Sequence, residues 1–270
     1  MITRFLLLAL AAAFTLTSCA TQSPQLQTGG FQLGELGRIY ARPKVVASPA
    51  SVTGLQKLNL ASGDLRDGWY YVPAKHANPA PLILMLHGSL DDGETILRKV
   101  QSFADDIGAI VVVPDSRSYT WEIAKRDVAP DPLDRLGKDV IFLDRALTYV
   151  FERHAIDPKR IAIGGFSDGG TTALSLGLMN GDLFTHVMAF SPGFIRLRST
   201  SGHPHVFLAH GTSDDVLPID TSRSIARAID QAGYEVEFIE FEGKHVVSED
   251  VAKEALTEWF VGETNLGASH

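Results

Sequence analysis

The chain has one cysteine among its 270 residues, Cys19, so no disulfide can form within it. Positive charge is the scarcer sign: 24 Lys and Arg stand against 32 Asp and Glu, giving a formal net charge of −8 and a pI near 5.6. Nucleic acid and anionic lipid would be repelled at long range, which excludes them as natural partners. A membrane-spanning run is missing as well. The apolar stretch at residues 5–16 falls short of the about 20 residues a spanning helix needs. The histidines show no metal-ligand spacing, and there is neither a Gly-rich phosphate loop nor a dinucleotide fingerprint. No metal and no cofactor is therefore expected. Internal repeats are absent too.

What is present begins with an export signal over residues 1–18: one positive charge at Arg4, the apolar stretch, and a small-residue ending. Leu16-Thr17-Ser18-Cys19 resembles the bacterial lipobox. That resemblance implies cleavage before Cys19, acylation of the new terminus, and a chain held outside the cytoplasm, touching the membrane through this anchor only. Residues 19–53 are rich in Gln, Thr, Ser and Gly with scattered Pro and lack periodicity, as expected of a mobile tether. Residues 54–262 have the length of one sizeable domain, and 263–270 form a tail.

Within the domain, strands are expected at 55–60 and 69–72, separated by the Gly63-Asp64 turn signal and reading as an antiparallel opening. The unbroken apolar run 82–86 suits a strand buried on both faces of a parallel sheet. Further strands are expected at 109–113, 160–166, 186–190, 206–210 and 236–241. Helical spacing marks 94–107, 139–151, 171–179, 219–232 and 248–261. The charges of the 139–151 helix read as a solvated face. Residues 116–134, with Trp121 and two prolines, read as a long loop of the kind that carries function. Alternation of strand and helix predicts an α/β fold with a doubly wound, mostly parallel sheet and its ligand site at the carboxyl ends of the strands. Only about a dozen residues separate the strand ending near Ser191 from the one starting near Val206. They leave room for no large lid, so the cleft is expected to be shallow and open.

Chemistry concentrates at Gly165-Phe166-Ser167-Asp168-Gly169, a G-x-S-x-G elbow between a β-branched run and a helix-forming segment, which makes Ser167 the candidate nucleophile. A serine hydroxyl is a poor nucleophile until a base removes its proton and a carboxylate fixes the base's tautomer. His245 follows the last strand, and the loop His210-Gly211-Thr212-Ser213-Asp214-Asp215 offers two acids, one of which can orient it. The N–H groups of Asp168, directly after the nucleophile, and Ser89, in the His87-Gly88-Ser89 loop, are candidate oxyanion-hole donors.

Leu86-His87-Gly88, the elbow, Ser191-Pro192-Gly193, His210-Gly211-Thr212-x-Asp214-x-Val216-x-Pro218 and His245 together resemble the α/β-hydrolase superfamily over about residues 55–260. The nearest branches are the phospholipase/carboxylesterase and the polyhydroxybutyrate-depolymerase-like or feruloyl-esterase-like ones. The resemblance implies a lidless serine esterase with Ser167, Asp214 and His245 as its triad, acting on small ester substrates. In contrast to many secreted depolymerases, this chain has no cysteine pairs and no recognisable polymer-binding module. The acid is expected four residues after His210, with Val216 turned inward ahead of a helix opened by Pro218. Two other readings keep the same fold: a peptidase or thioesterase with that triad, and a non-catalytic surface lipoprotein.

Overall fold

The computed structural model describes residues 37–62, 66–125 and 137–260. An eight-stranded sheet runs through it in the order β1-β2-β4-β3-β5-β6-β7-β8. Its strands are β1 (Gly54–Lys57), β2 (Gly68–Val72), β3 (Ala80–Leu86), β4 (Ile110–Pro114), β5 (Ile156–Phe166), β6 (His186–Phe190), β7 (His205–Gly211) and β8 (Val236–Phe241). The first two pair antiparallel with their neighbours and all other pairings are parallel. Among the described residues, an α-helix follows each of β3, β4, β5, β7 and β8: α1 (Gly93–Ile107), α2 (Gly137–Phe151), α3 (Asp168–Met179), α4 (Ile219–Gln231) and α5 (Glu249–Lys253), the last continuing as a wider-wound stretch over Glu254–Trp259.

Side chains of β3 show why its apolar run does not alternate. Leu82, Leu84 and Leu86 enter one core with α2, α3 and α4, while Ile83 and Met85 enter the core on the opposite face with α1 and α5. Both faces are covered, so every position of the strand is buried. Register then decides where the loops meet. Leu86 pairs with Gly165, Phe166 with Phe190, Phe190 with Ala209, and Gly211 with Phe241. The carboxyl ends of β3, β5, β6, β7 and β8 therefore share one edge.

Four expectations are revised. The first strand stops at Lys57 instead of reaching 60, because the Asp67 carboxylate accepts the N–H groups of Asn59, Leu60 and Ala61 at 2.7–3.0 Å and turns the chain. The Gly63-Asp64 turn itself lies outside the described residues, as do Cys19, the signal segment, residues 126–136 of the long loop, and the tail. The stretch assigned to a tether is packed over 37–42. Ile39 is fully buried, its N–H donates to Asn180 Oδ1 at 2.8 Å, and Arg38 and Arg42 both meet Asp182. The acids of α2 are not a solvated face either. Asp139 is buried and accepts the N–H groups of Arg117 and Glu122, each at 2.6 Å, while Asp144 accepts from Tyr40 and Ala41. Within the described part of the long loop, residues 116–125, Trp121 is wholly buried in a core while Tyr119 is exposed. The fourth revision, at Val216, belongs to the site.

Candidate active site

Ser167 sits between β5 and α3 at φ 57 and ψ −116, a conformation that costs a non-glycine residue about 1–3 kcal/mol and that the surrounding packing enforces. The turn is tight enough to dictate its neighbours. A Cβ on Gly165 would lie 2.3 Å from the Gly169 carbonyl oxygen, and one on Gly169 would lie 2.3 Å from that of Leu86. Only glycine fits at either position. The Ser167 N–H is secured to the Phe190 carbonyl at 2.9 Å.

His245, on the loop after β8, brings Nε2 to 2.9 Å from Ser167 Oγ. Its Nδ1 is 2.7 Å from Asp214 Oδ2. Since the carboxylate accepts the Nδ1 proton, Nε2 is left as the acceptor for the serine hydroxyl. Phe166 packs on the imidazole with ring centroids 4.8 Å apart. The two loops carrying the acid and the histidine are stapled together, with Thr212 N–H donating to the Phe241 carbonyl at 2.8 Å and Ser213 N–H to that of Gly243 at 2.9 Å.

Geometry separates the two acids that the loop offers. Asp214 has no exposed side-chain surface, whereas Asp215 is 62% exposed and pairs with Lys244 at 3.1 Å. Asp214 Oδ1 accepts the N–H groups of Val216 and Leu217 at 2.9 and 2.8 Å. Burial raises the pKa of Asp214, but the Leu217, His245 and Val216 donors outweigh it and hold the carboxyl below its ordinary value. Val216 does not turn inward. It is 62% exposed, because the turn directs backbone N–H groups toward the carboxylate instead of a side chain toward the core.

His210 was legible only as a landmark in the motif, and its contacts make it more. It is wholly buried, with Nε2 3.1 Å from Asp214 Oδ2 and 2.9 Å from the Leu217 carbonyl, and Nδ1 2.7 Å from Ser222 Oγ. It props the acid from behind. A Cβ on Gly88 would lie 3.7 Å from Ser167 Cβ, so the His87-Gly88-Ser89 loop borders Ser167. Leu90 N–H is committed to the Tyr119 carbonyl at 2.7 Å, and neither the Ser89 nor the Asp168 N–H donates to another group among the described residues. His87 Nε2 accepts from Ser116 N–H at 3.0 Å, and burial pushes its pKa down, so it stays a neutral structural ring. Among the described residues no group of three His, Cys, Asp or Glu could hold a metal ion.

A family model described as Phospholipase/Carboxylesterase matches residues 142–257, which include Ser167, Asp214 and His245. Among solved structures, esterase PE8 is 23% identical with a TM-score of 0.61, covering 74% of this chain and 99% of that one. A fluorophosphonate-binding serine hydrolase of Staphylococcus aureus is 17% identical with a TM-score of 0.60, covering 77% and 98%. The chain has the α/β-hydrolase fold. The chain is also similar in sequence to carboxylic ester hydrolases. A bifunctional acetylxylan esterase/xylanase of Neocallimastix patriciarum is 27% identical over 157 residues, 56% of this chain and 22% of that protein. A poly(3-hydroxybutyrate) depolymerase of Ralstonia pickettii is 25% identical over 138 residues, 44% and 28%. The chain thus spans less than a third of the length of either.

Proposed function

We propose that this protein is a serine hydrolase that cleaves carboxylic esters through an acyl-enzyme. The observation that carries the reading is the hydrogen-bonded line from Ser167 Oγ to His245 Nε2 at 2.9 Å and from His245 Nδ1 to Asp214 Oδ2 at 2.7 Å. His245 removes the serine proton as Oγ attacks the ester carbonyl, and Asp214 stabilises the imidazolium that forms. The N–H groups of Ser89 and Asp168 receive the oxyanion, each supporting the transition state by about 3 kcal/mol. Collapse of the tetrahedral intermediate expels the alcohol, which takes the proton from His245. Water, deprotonated by the same ring, then frees the acid. A thioester or amide would follow the same steps, and the esterases among the similar chains favour the ester. With β6 ending at Phe190 and β7 starting at His205, the connection between them holds no large lid, and soluble short-chain esters are the expected substrates.

The reading includes attachment through an acylated Cys19 outside the cytoplasm, supported by the Leu-Thr-Ser-Cys ending and the absence of any other cysteine. One experiment covers both parts. Cells expressing wild type, Ser167→Ala or Cys19→Ser are fractionated, and each fraction is treated with a fluorophosphonate probe and assayed on p-nitrophenyl butyrate. Labelling and turnover are expected in the membrane fraction for wild type, in neither fraction for Ser167→Ala, and away from the membrane or with the signal uncleaved for Cys19→Ser. A folded wild-type protein that takes no label and turns over no ester would leave the non-catalytic reading in its place.

A further inference from the structure

The two oxyanion donors come from separate loops, and residues 116–121 are bonded to both. Toward the His87-Gly88-Ser89 loop, Ser116 N–H donates to His87 Nε2 at 3.0 Å, Trp121 Nε1 donates to the His87 carbonyl at 2.8 Å, and the Tyr119 carbonyl accepts from Leu90 N–H at 2.7 Å. Toward the elbow, the Thr120 hydroxyl donates to the Asp168 carboxylate. The segment is itself fixed. Its Ser118 hydroxyl donates to the Thr120 carbonyl at 2.8 Å. Buried Asp139 of α2 grips both flanks through Arg117 and Glu122 N–H. The Trp121 ring packs on His87 with centroids 4.8 Å apart.

We propose that residues 116–121 are a positioning segment for the oxyanion hole, in which Thr120 sets the place of Asp168. The inference rests on the serine-hydrolase reading above. Oxyanion donors work only when held about 3 Å from where the oxygen charge develops, within about 0.5 Å. Asp168 is the first residue of α3, and the Ser89 loop has an exposed tip, so neither donor is fixed by a sheet ladder. The Asp168 carboxylate is the group through which the segment reaches the elbow. The Thr120 bond commits that carboxylate to the segment. Thr120 touches no reacting atom and acts through Asp168 alone.

The test compares wild type, Thr120→Val and Thr120→Ser on a soluble ester, with inhibition by a trifluoromethyl ketone as the oxyanion readout and melting curves as the folding control. Thr120→Val keeps the shape and loses the donor. Its kcat is expected to fall about tenfold or more with KM changed by less than about twofold, and its ketone inhibition constant to rise by the same factor as kcat falls. Thr120→Ser, which keeps the hydroxyl, restores both to within about twofold of wild type. Asp168→Ala breaks the same bond from the other side and carries the same expectation, should Thr120→Val fold poorly. Unchanged kcat in both broken-bond variants, or a kcat loss that leaves ketone inhibition unmoved or that Ser does not restore, overturns the inference. A wild type inactive on every ester overturns the function and this inference together, whereas an active wild type with an equally active Thr120→Val overturns this inference alone.

Discussion

Asp214 and Asp215 are chemically identical neighbours, and their surroundings separate them. Asp214 is closed off from solvent and receives Val216 N–H, Leu217 N–H and His245 Nδ1, with His210 behind it. Asp215 reaches solvent and Lys244. Asp214→Asn presents an amide where a carboxylate fixed the imidazole tautomer, so turnover on a soluble ester is expected to drop by roughly two to four orders of magnitude. Asp215→Asn removes an exposed ion pair worth about 0–1 kcal/mol and should change turnover by less than about tenfold. Circular dichroism and melting curves show whether both variants fold. The reverse ranking would move the acid by one position.

At the scale of elements, residues 37–42 are a strap on the domain. Ile39 fills the core beside α2 and α3, and Asn180 at the end of α3 holds both sides of it, donating to the Gly37 carbonyl at 2.8 Å and accepting from Ile39 N–H. Low hydrophobicity and lack of period hid this, since a single anchoring side chain leaves no pattern to read. Ile39→Ala is therefore expected to cost about 2–5 kcal/mol and lower the melting temperature by several degrees. Val45→Ala, at a fully exposed position a few residues on, should stay within about 0.5 kcal/mol of wild type. Equal melting temperatures for the two variants would restore the tether reading at Ile39.

At the scale of the molecule, two buried histidines link stability to pH. Burial, reinforced by His76 and Arg153 beside His154 and by His205 beside His186, lowers each pKa from 6.5 to about 4. The His186 ring meets Trp259 and Phe260 edge to face, with centroids 5.0 Å away in each case, stacks on His205 at 5.3 Å, and has Thr185 Oγ1 2.8 Å from its Nδ1. The unfolded chain binds these protons first as pH falls, so their contribution is complete above about 6.5 and is lost progressively toward 4, at about 1.4 kcal/mol per pH unit for each histidine within that window. Asp139 and Glu122, raised by burial, act in the opposite sense. The diagnostic is thus a difference: the melting temperature of wild type should fall more steeply between pH 6.5 and 4 than that of His186→Gln. Parallel curves would show that His186 takes up its proton in the folded state as readily as in the unfolded one.

Among the described residues, the elements easiest to read were those that bury a face, such as β3, β4 and α1, because apolar spacing is a local property of the chain. The elbow was readable for a related reason: two glycines flanking a serine are demanded by contacts as close as 2.3 Å, and such demands appear directly as residue types. What the tertiary structure alone decided are the partnerships across distance. Asp139 reads as one more surface acid on a helix until Arg117 and Glu122 N–H arrive from a loop to surround it. Thr120 has no motif, and the seating of its segment on the His87 loop and Asp139 brings its hydroxyl to Asp168. For Asp214 and Asp215 the spacing from His210 already favoured the first, and what the structure adds is the turn that buries Asp214 and leaves Asp215 at the surface.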